Sequence, residues 1–472
     1  MLSAVDTEAE ELLSKPSASV TLPAGCGKTQ LIGSMGALAE RQGKRLLVLT
    51  HTNAGVQVIR DRLARFGVDP KSVTVRTIDS WCRYLAQQFP RIANVTLDAD
   101  RLYQATVDGA ARVLAHWNIL SLVRATFDHV VVDEYQDTSV SQHAVVLAMK
   151  SVLPVTVLGD PLQGIYGWPG NPVVDWSADV VSNFNVVQVD VNPWRWRGYN
   201  EVLGASLLGF RESLRMGRAI DLSATPGVNW RQNDPRQQVS ECIWVMSSEG
   251  SVVALHSHAQ QCYSLGRQLG GKYGVMEELE CVIVKKLAES LDRRIGSVSA
   301  CELLKFARQC ASGYVKPLDG AQVDSLSGGV KPRARGGKAA KAANALAAII
   351  EDPVASNLSL ALGELRNVAG VKVFRREAWR EAMAMLELAR RNPRETFAEC
   401  AISARSRSRR LGRVVEQRVI SRTLLVKGLE YDTGIVLDAD SMNARNLYVA
   451  LTRARRKLIV FSRTPILNPV SF

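Results

Sequence analysis

The sequence predicts an α/β protein with two parallel-sheet domains, the second interrupted by a helical insertion. Three observations predict it. The 472 residues are about three times the ~150 of a typical domain. The first 190 or so alternate short apolar runs with helical stretches. Strand signals then return near the C-terminus, beyond a long Ala-, Leu-, Glu-, Lys- and Arg-rich middle.

The early runs lie at 19–22, 45–50, 72–76, 129–132, 155–158 and 186–189. Val, Leu and Ile dominate them with little polar alternation, as in strands buried on both faces of a parallel sheet. Helical patterns fall between them, at 28–41 and 56–66. This alternation argues for a doubly wound domain over 1–190. Later strand signals at 251–256, 418–425, 433–437 and 458–461 bracket the helical stretch. The expected division is therefore a second sheet domain from 191–270 plus 411–472, with 271–410 as a basic helical insertion. Within that insertion, 328–341 holds five basic residues, four Gly, one Pro and no acid, which predicts a mobile basic loop.

Composition narrows the class. The chain is 46% hydrophobic and 22% charged, which excludes wholesale disorder. With 59 Lys plus Arg against 46 Asp plus Glu, the net charge is +13, so a polyanionic partner is expected, nucleic acid first. No apolar run approaches the ~20 residues of a membrane helix, and the acidic start (Asp6, Glu8, Glu10, Glu11) does not read as a signal peptide. The eight Cys form no CxxC and no zinc spacing with His. No membrane association is expected, and a reducing cytoplasm fits.

Several motifs carry chemistry. Val20-Thr-Leu-Pro-Ala-Gly-Cys-Gly-Lys-Thr29 follows a strand and opens a helix. Gly25 and Gly27 let the backbone wrap a phosphate with its N–H groups inward. Ala24 through Gln30 would form that cradle, including Cys26; Lys28 would reach the outer phosphates and the Thr29 hydroxyl would hold Mg2+. In His129-Val-Val-Val-Asp-Glu-Tyr-Gln-Asp-Thr138 an apolar strand ends in two adjacent carboxylates. Asp133 would serve Mg2+ and Glu134 would polarise an attacking water. In Val157-Leu-Gly-Asp-Pro-Leu-Gln-Gly-Ile-Tyr-Gly-Trp168 a strand again runs into a polar loop. Gln163 would sense a γ-phosphate, and Tyr166 and Trp168 would stack on bases. Asn192-Pro-Trp-Arg-Trp-Arg197 and Asn446-Leu-Tyr-Val-Ala-Leu-Thr-Arg-Ala-Arg455 offer arginines for transition-state charge.

Taken in this order, the set resembles the superfamily 1 helicases of the UvrD/Rep/PcrA type. The resemblance rests on Asp-Glu-Tyr-Gln-Asp at 133–137, on Gly159 through Trp168, on Lys427-Gly-Leu-Glu430 and on Tyr448-Val-Ala-Leu-Thr-Arg453. It implies two RecA-like P-loop NTPase domains, hydrolysis of ATP with Mg2+, and 3′→5′ movement on single-stranded or tailed duplex DNA. It further implies γ-phosphate contacts from Gln163, Arg195 (with Arg197 the neighbouring choice) and Arg453, and a nucleotide sugar contact from Glu430. Thr50-His-Thr-Asn53 and Thr77-Ile-Asp-Ser-Trp81 resemble the family's early DNA motifs, which implies DNA contacts from Thr52, Asn53 and Ser80.

The chain departs from the family pattern in places. No Gln lies in residues 1–20, Asp79 stands where His is usual, and Leu425 where the fifth motif has His. The stretch between Trp81 and Asp133 is short, so the first domain's insertion, at about 85–125, is reduced. A second reading follows from these departures: a DNA-end-sensing NTPase that partners a nuclease, like the helicase-like subunit of the Gabija antiphage system. A repair factor is another partner the family implies. A chain that only binds DNA is a third reading, opposed by the intact Lys28, Thr29, Asp133, Glu134, Gln163 and Arg453.

Overall fold

The computed structural model describes residues 4–95, 102–167, 172–247, 249–278, 281–333, 336–411 and 416–469. The chain gathers into two compact units. The first comprises 1–228, 442–456 and 466–472, and the second 229–441 and 457–465. The fold is α/β, with one large sheet in each unit.

In the first unit, α1 (Ala4–Ser14) leads into β1 (Ser17–Thr21). Two helix–strand pairs follow, α2 (Lys28–Arg41) with β2 (Leu46–Thr50) and α3 (Asn53–Arg65) with β3 (Val73–Thr77), and then α4 (Ile78–Gln88). Three short helices, α5 (Pro90–Ala93), α6 (Leu102–Leu114) and α7 (Trp117–Thr126), fill the stretch before β4 (His129–Val132). Next come α8 (Val140–Lys150), β5 (Val155–Gly159) and α9 (Glu201–Arg215).

The five strands pair in the order β1-β5-β4-β2-β3, all parallel. Alternate residues enter two cores. Leu47, Leu49, Val130, Val132, Val155 and Val157 pack on one face, against α4, α6, α7 and α8. Ala18, Val20, Leu46, Val48, Val73 and Val131 pack on the other, against α1, α2 and α3. Burial on both faces is why these strands lack polar alternation. The run at 186–189 does not extend the sheet as a strand: it makes one isolated parallel bridge, Ser19 with Val186. Val187 donates to the Ser19 carbonyl at 2.9 Å, and the Ser19 N–H donates to the Asn185 carbonyl at 2.8 Å.

The second unit contains β7 from Asn229 onward; the short β6 (Ile220–Asp221) and the start of β7 (Val228–Gln232) precede it. Then follow α10 (Pro235–Val245), β8 (Val252–His256), α11 (Ala259–Gln268) and β9 (Gly274–Val275). The helical stretch comprises α12 (Val282–Leu291), α13 (Gly296–Cys310), α14 (Gly320–Ser327), α15 (Gly337–Glu351), α16 (Ala355–Asn367), α17 (Arg376–Arg391) and α18 (Phe397–Leu411). Two small strands sit within it, β10 (Ala311–Ser312) and β11 (Lys372–Val373), paired antiparallel. These helices bury their own core around Leu287, Leu304, Leu346, Leu362, Trp379 and Leu386.

The chain returns through β12 (Arg418–Arg422), β13 (Tyr431–Val436) and β14 (Ala454–Ser462). The six-stranded order is β7-β14-β13-β8-β12-β9, with β13, β8, β12 and β9 parallel.

Two expectations are corrected here. The strand expected over 418–425 stops at Arg422, and Thr423–Val426 form a 3-10 turn. The basic stretch at 328–341 is helical from Gly337, the start of α15, because Lys338-Ala-Ala-Lys341 are strong helix formers once past the Gly pair; residues 334–335 lie outside the described residues. No described helix is long and apolar enough to cross a membrane.

Candidate active site

The first unit gathers most of the residues singled out above. Leu22 extends β1 by donating its N–H to the Gly159 carbonyl at 3.0 Å, and the chain then wraps into α2. Gly25 (φ 72°) and Gly27 (φ 101°) occupy the left-handed region that glycine enters without a Cβ penalty. Lys28 is buried; its Nζ donates to the Leu22 carbonyl at 3.1 Å and lies 3.9 Å from Glu134 Oε1. The head of α2 and the end of β4 therefore converge. Thr29 is half-buried in the first turn of α2, and Gln30 accepts from Arg62 Nη1 at 2.7 Å. Burial pushes the Cys26 thiol up to about 11, so it stays protonated and unreactive at neutral pH.

Glu134 adopts φ 54°, ψ 40°, a left-handed backbone rare for a non-glycine residue and found where a site dictates it. Its carboxylate accepts from Gln136 Nε2 at 2.5 Å, while Gln136 Oε1 accepts from the Asp160 N–H at 2.9 Å. Gly159 is needed here, because a Cβ would come within 2.7 Å of Gln136 Oε1. Asp133 is buried at the end of β4. Its carboxylate and the Thr29 hydroxyl are hard oxygen donors of the kind Mg2+ takes, and Mg2+ needs only one or two protein carboxylates. Among the described residues no cluster of three or more His, Cys, Asp or Glu suits a metal.

Asp160 is fully buried. It caps the 3-10 turn Pro161–Gln163 through the Leu162 N–H at 3.2 Å, accepts from Gln163 Nε2 at 3.2 Å and pairs with Arg211 of α9 at 3.0 Å. The segment 442–456 enters the same unit as a helix, α19 (Ala444–Leu451), packed on that 3-10 turn. Arg453 follows it and is 1% exposed. Arg453 Nε donates to the Val449 carbonyl at 2.8 Å, and Nη2 to Thr452 Oγ1 at 2.9 Å and Gln163 Oε1 at 3.5 Å. Arg195 Nη1 donates to the Thr452 carbonyl at 2.5 Å, and the Arg195 N–H to the Gly25 carbonyl at 3.0 Å. The Tyr448 hydroxyl accepts from the Ala24 N–H at 3.1 Å. Lys28 and Glu134 are thus within ion-pair reach, and Gln163, Arg453 and Arg195 are linked through Thr452 to the loop at Gly25.

The surface residues divide. Thr52 caps α3, accepting from the Gly55 N–H at 3.0 Å. Ser80 lies in the first turn of α4, its N–H donating to Thr77 Oγ1 at 3.0 Å. Asn53 and Ser80 line one open groove of about 680 Å³, together with Arg60 and Arg76. Tyr166 is half-buried, and Trp168 lies outside the described residues. Glu430 is exposed in the second unit, immediately before β13.

Sequence reasoning missed four members of this arrangement. Gln136 sat unremarked inside the carboxylate motif, and Trp194, whose ring abuts Gly27, sat beside Arg195. Tyr448 was read only as part of a motif. Arg211 had no local signal, since its role depends on α9 packing over Asp160.

Part of the chain matches known helicases in sequence. Residues 91–173 match the family model described as UvrD/REP helicase N-terminal domain. A curated relative, the ATP-dependent DNA helicase PcrA of Leuconostoc citreum, is 32% identical over 131 residues, 26% of this chain and 16% of that protein's length. A solved structure, the Pif1 helicase from Candida albicans, aligns with TM-score 0.33 and 11% identity over 58% of this chain and 55% of its own. The chain resembles the UvrD/PcrA-type superfamily 1 helicases.

Proposed function

We propose that this chain is a DNA-stimulated ATPase that translocates 3′→5′ on single-stranded DNA and unwinds tailed duplexes. The observation that carries the reading is the convergence of Lys28, Glu134, Gln163, Arg195 and Arg453 about the loop from Ala24 to Thr29 in one compact unit.

The loop's backbone N–H groups cradle the phosphates, with Ala24, Gly25, Cys26 and Gly27 supplying the curve and Gln30 steadying its helix against α3. Lys28 exchanges the Leu22 carbonyl for the outer phosphates. Thr29 and Asp133 would hold Mg2+, which would supply neutralisation of the phosphate charge. Glu134 orients and deprotonates the attacking water, and Gln136 fixes the direction of that carboxylate. Gln163, Arg195 and Arg453 meet the charge that develops on the transferred phosphoryl group. Glu430 of the second unit is assigned the nucleotide sugar. Thr52, Asn53, Ser80, Tyr166 and Trp168 are assigned to the DNA strand, and the basic surface adds salt-sensitive phosphate contacts.

The test is a strand-displacement assay beside ATPase rates, on 3′-tailed, 5′-tailed and blunt duplexes at fixed salt. Displacement of the 3′-tailed duplex alone, with DNA-stimulated hydrolysis, is expected. Hydrolysis without displacement would instead favour the end-sensing partner of a nuclease. Absence of both hydrolysis and displacement would sink the enzyme reading.

A further inference from the structure

We infer that Gln142 and Asp79 form a positioning bridge that ties the carboxylate end of β4 to the helix carrying Ser80. The inference rests on the functional reading above and names how that site would communicate with DNA.

The bridge begins where the catalytic carboxylates end. Beyond Asp133 and Glu134 the chain makes one 3-10 turn, Tyr135–Asp137, and enters α8 through Thr138 and Ser139. Ser139 and Gln142 form a reciprocal cap. The Ser139 hydroxyl accepts from the Gln142 N–H at 3.2 Å, and Gln142 Oε1 accepts from the Ser139 N–H at 2.9 Å.

The other end of that carboxamide is what matters. Gln142 Nε2 donates to Asp79 Oδ1 at 2.7 Å and to the Tyr103 hydroxyl at 3.0 Å, and Tyr103 is itself hydrogen-bonded to Asp79. Both amide protons and the amide oxygen are thereby used, so Gln142 has one orientation. Gln142 is buried, and burial raises the Asp79 carboxyl above its usual range. Such a network, fully satisfied and poorly solvated, is rigid.

Asp79 lies in the first turn of α4, next to Ser80. A movement of the carboxylate loop therefore reaches α4 through side chains with one arrangement each. A parallel tie runs from Thr138 Oγ1 to His51 Nε2 at 3.3 Å, and His51 precedes Thr52 and Asn53. Two of the strand-end loops that carry candidate DNA contacts, those after β2 and β3, are thus joined to the same few residues after Glu134.

Three variants separate the bridge from the cap. Asp79→Ala cuts the bridge and leaves the cap. Ser139→Ala weakens the cap and leaves the bridge. Asp79→Asn keeps an oxygen that can accept from both Gln142 and Tyr103. ATP hydrolysis is measured on the full chain without DNA and with saturating single-stranded oligonucleotide, and thermal melting confirms each variant is folded. For Asp79→Ala the basal rate is expected to stay near that of the unsubstituted chain. Its ratio of stimulated to basal rate should fall by about fivefold or more, the range of coupling between sites. Asp79→Asn and Ser139→Ala should keep the ratio. Proportional loss of both rates in Asp79→Ala, or an intact ratio, overturns the bridge. Absence of DNA stimulation in the unsubstituted chain is a different failure, since it removes the functional reading and the bridge together.

Discussion

Lys28 and Glu134 face each other at 3.9 Å, although the strands that lead to them, β1 and β4, are not neighbours in the sheet: β5 runs between them. The ammonium donates to the Leu22 carbonyl, a neutral acceptor it can exchange for a charged one. Lys28→Ala is expected to lower ATP hydrolysis about a hundredfold or more, as loss of a buried transition-state donor does. The melting temperature should hardly change, because the variant leaves no buried charge behind. A near-normal rate in a steady-state assay would remove Lys28 from the site.

Asp160 is expected to be the most sensitive carboxylate of the first unit. It is wholly buried and serves Leu162, Gln163 and Arg211 at once. Asp160→Ala strands the Arg211 guanidinium, whose side chain is 18% exposed, and breaking such a pair costs about 3–5 kcal/mol. Asp160→Asn keeps an acceptor for the turn and should cost less. Urea unfolding that ranks the two variants equally would mean the charge pairing with Arg211 contributes little.

Gly27 combines two constraints that a double variant separates. Its φ of 101° is costly for any side chain, and a Cβ there would stand 2.9 Å from Trp194 Cδ1. Gly27→Ala should destabilise the first unit by about 1–3 kcal/mol and weaken nucleotide binding. Adding Trp194→Ala relieves the clash and leaves the backbone strain, so recovery should be partial. Full recovery of stability in the double variant would assign the whole effect to the clash.

Which parts were legible in the sequence follows from how local each cause is. The strand at 129–132 and the helix at 28–41 coincide with β4 and α2, because continuous apolar runs and a glycine-to-helix transition are signals within one stretch of chain. The run at 186–189 looked the same as the others. It has only Ser19 to bridge, and that depends on which neighbour the sheet leaves open. In the site, the loop residues and the carboxylate pair could be read from spacing. The bonds from Arg195 to Thr452 and from Tyr448 to Ala24 join positions more than two hundred residues apart, and no pattern in either segment encodes them. The same holds for Asp79, which on its own read only as a departure from a motif, until Gln142 and Tyr103 gave it partners.

His129 gives the first unit a dependence on pH. It is 1% exposed at the start of β4, and its Nε2 lies 2.9 Å from Thr156 Oγ1. Burial, with a smaller contribution from Lys44, lowers its pKa to about 4 from the ordinary 6.5. The folded chain therefore holds the ring neutral at pH values where the unfolded chain has already bound a proton. Stability from this residue is complete above pH 6.5 and is lost as pH falls towards 4, by about 3 kcal/mol at pH 4. In His129→Gln nothing titrates at this position, while an amide still reaches Thr156. The difference in unfolding free energy between the native chain and the variant should therefore shrink steadily from pH 7 to pH 4. Curves that stay parallel over that window would mean the buried ring takes up its proton as readily folded as unfolded.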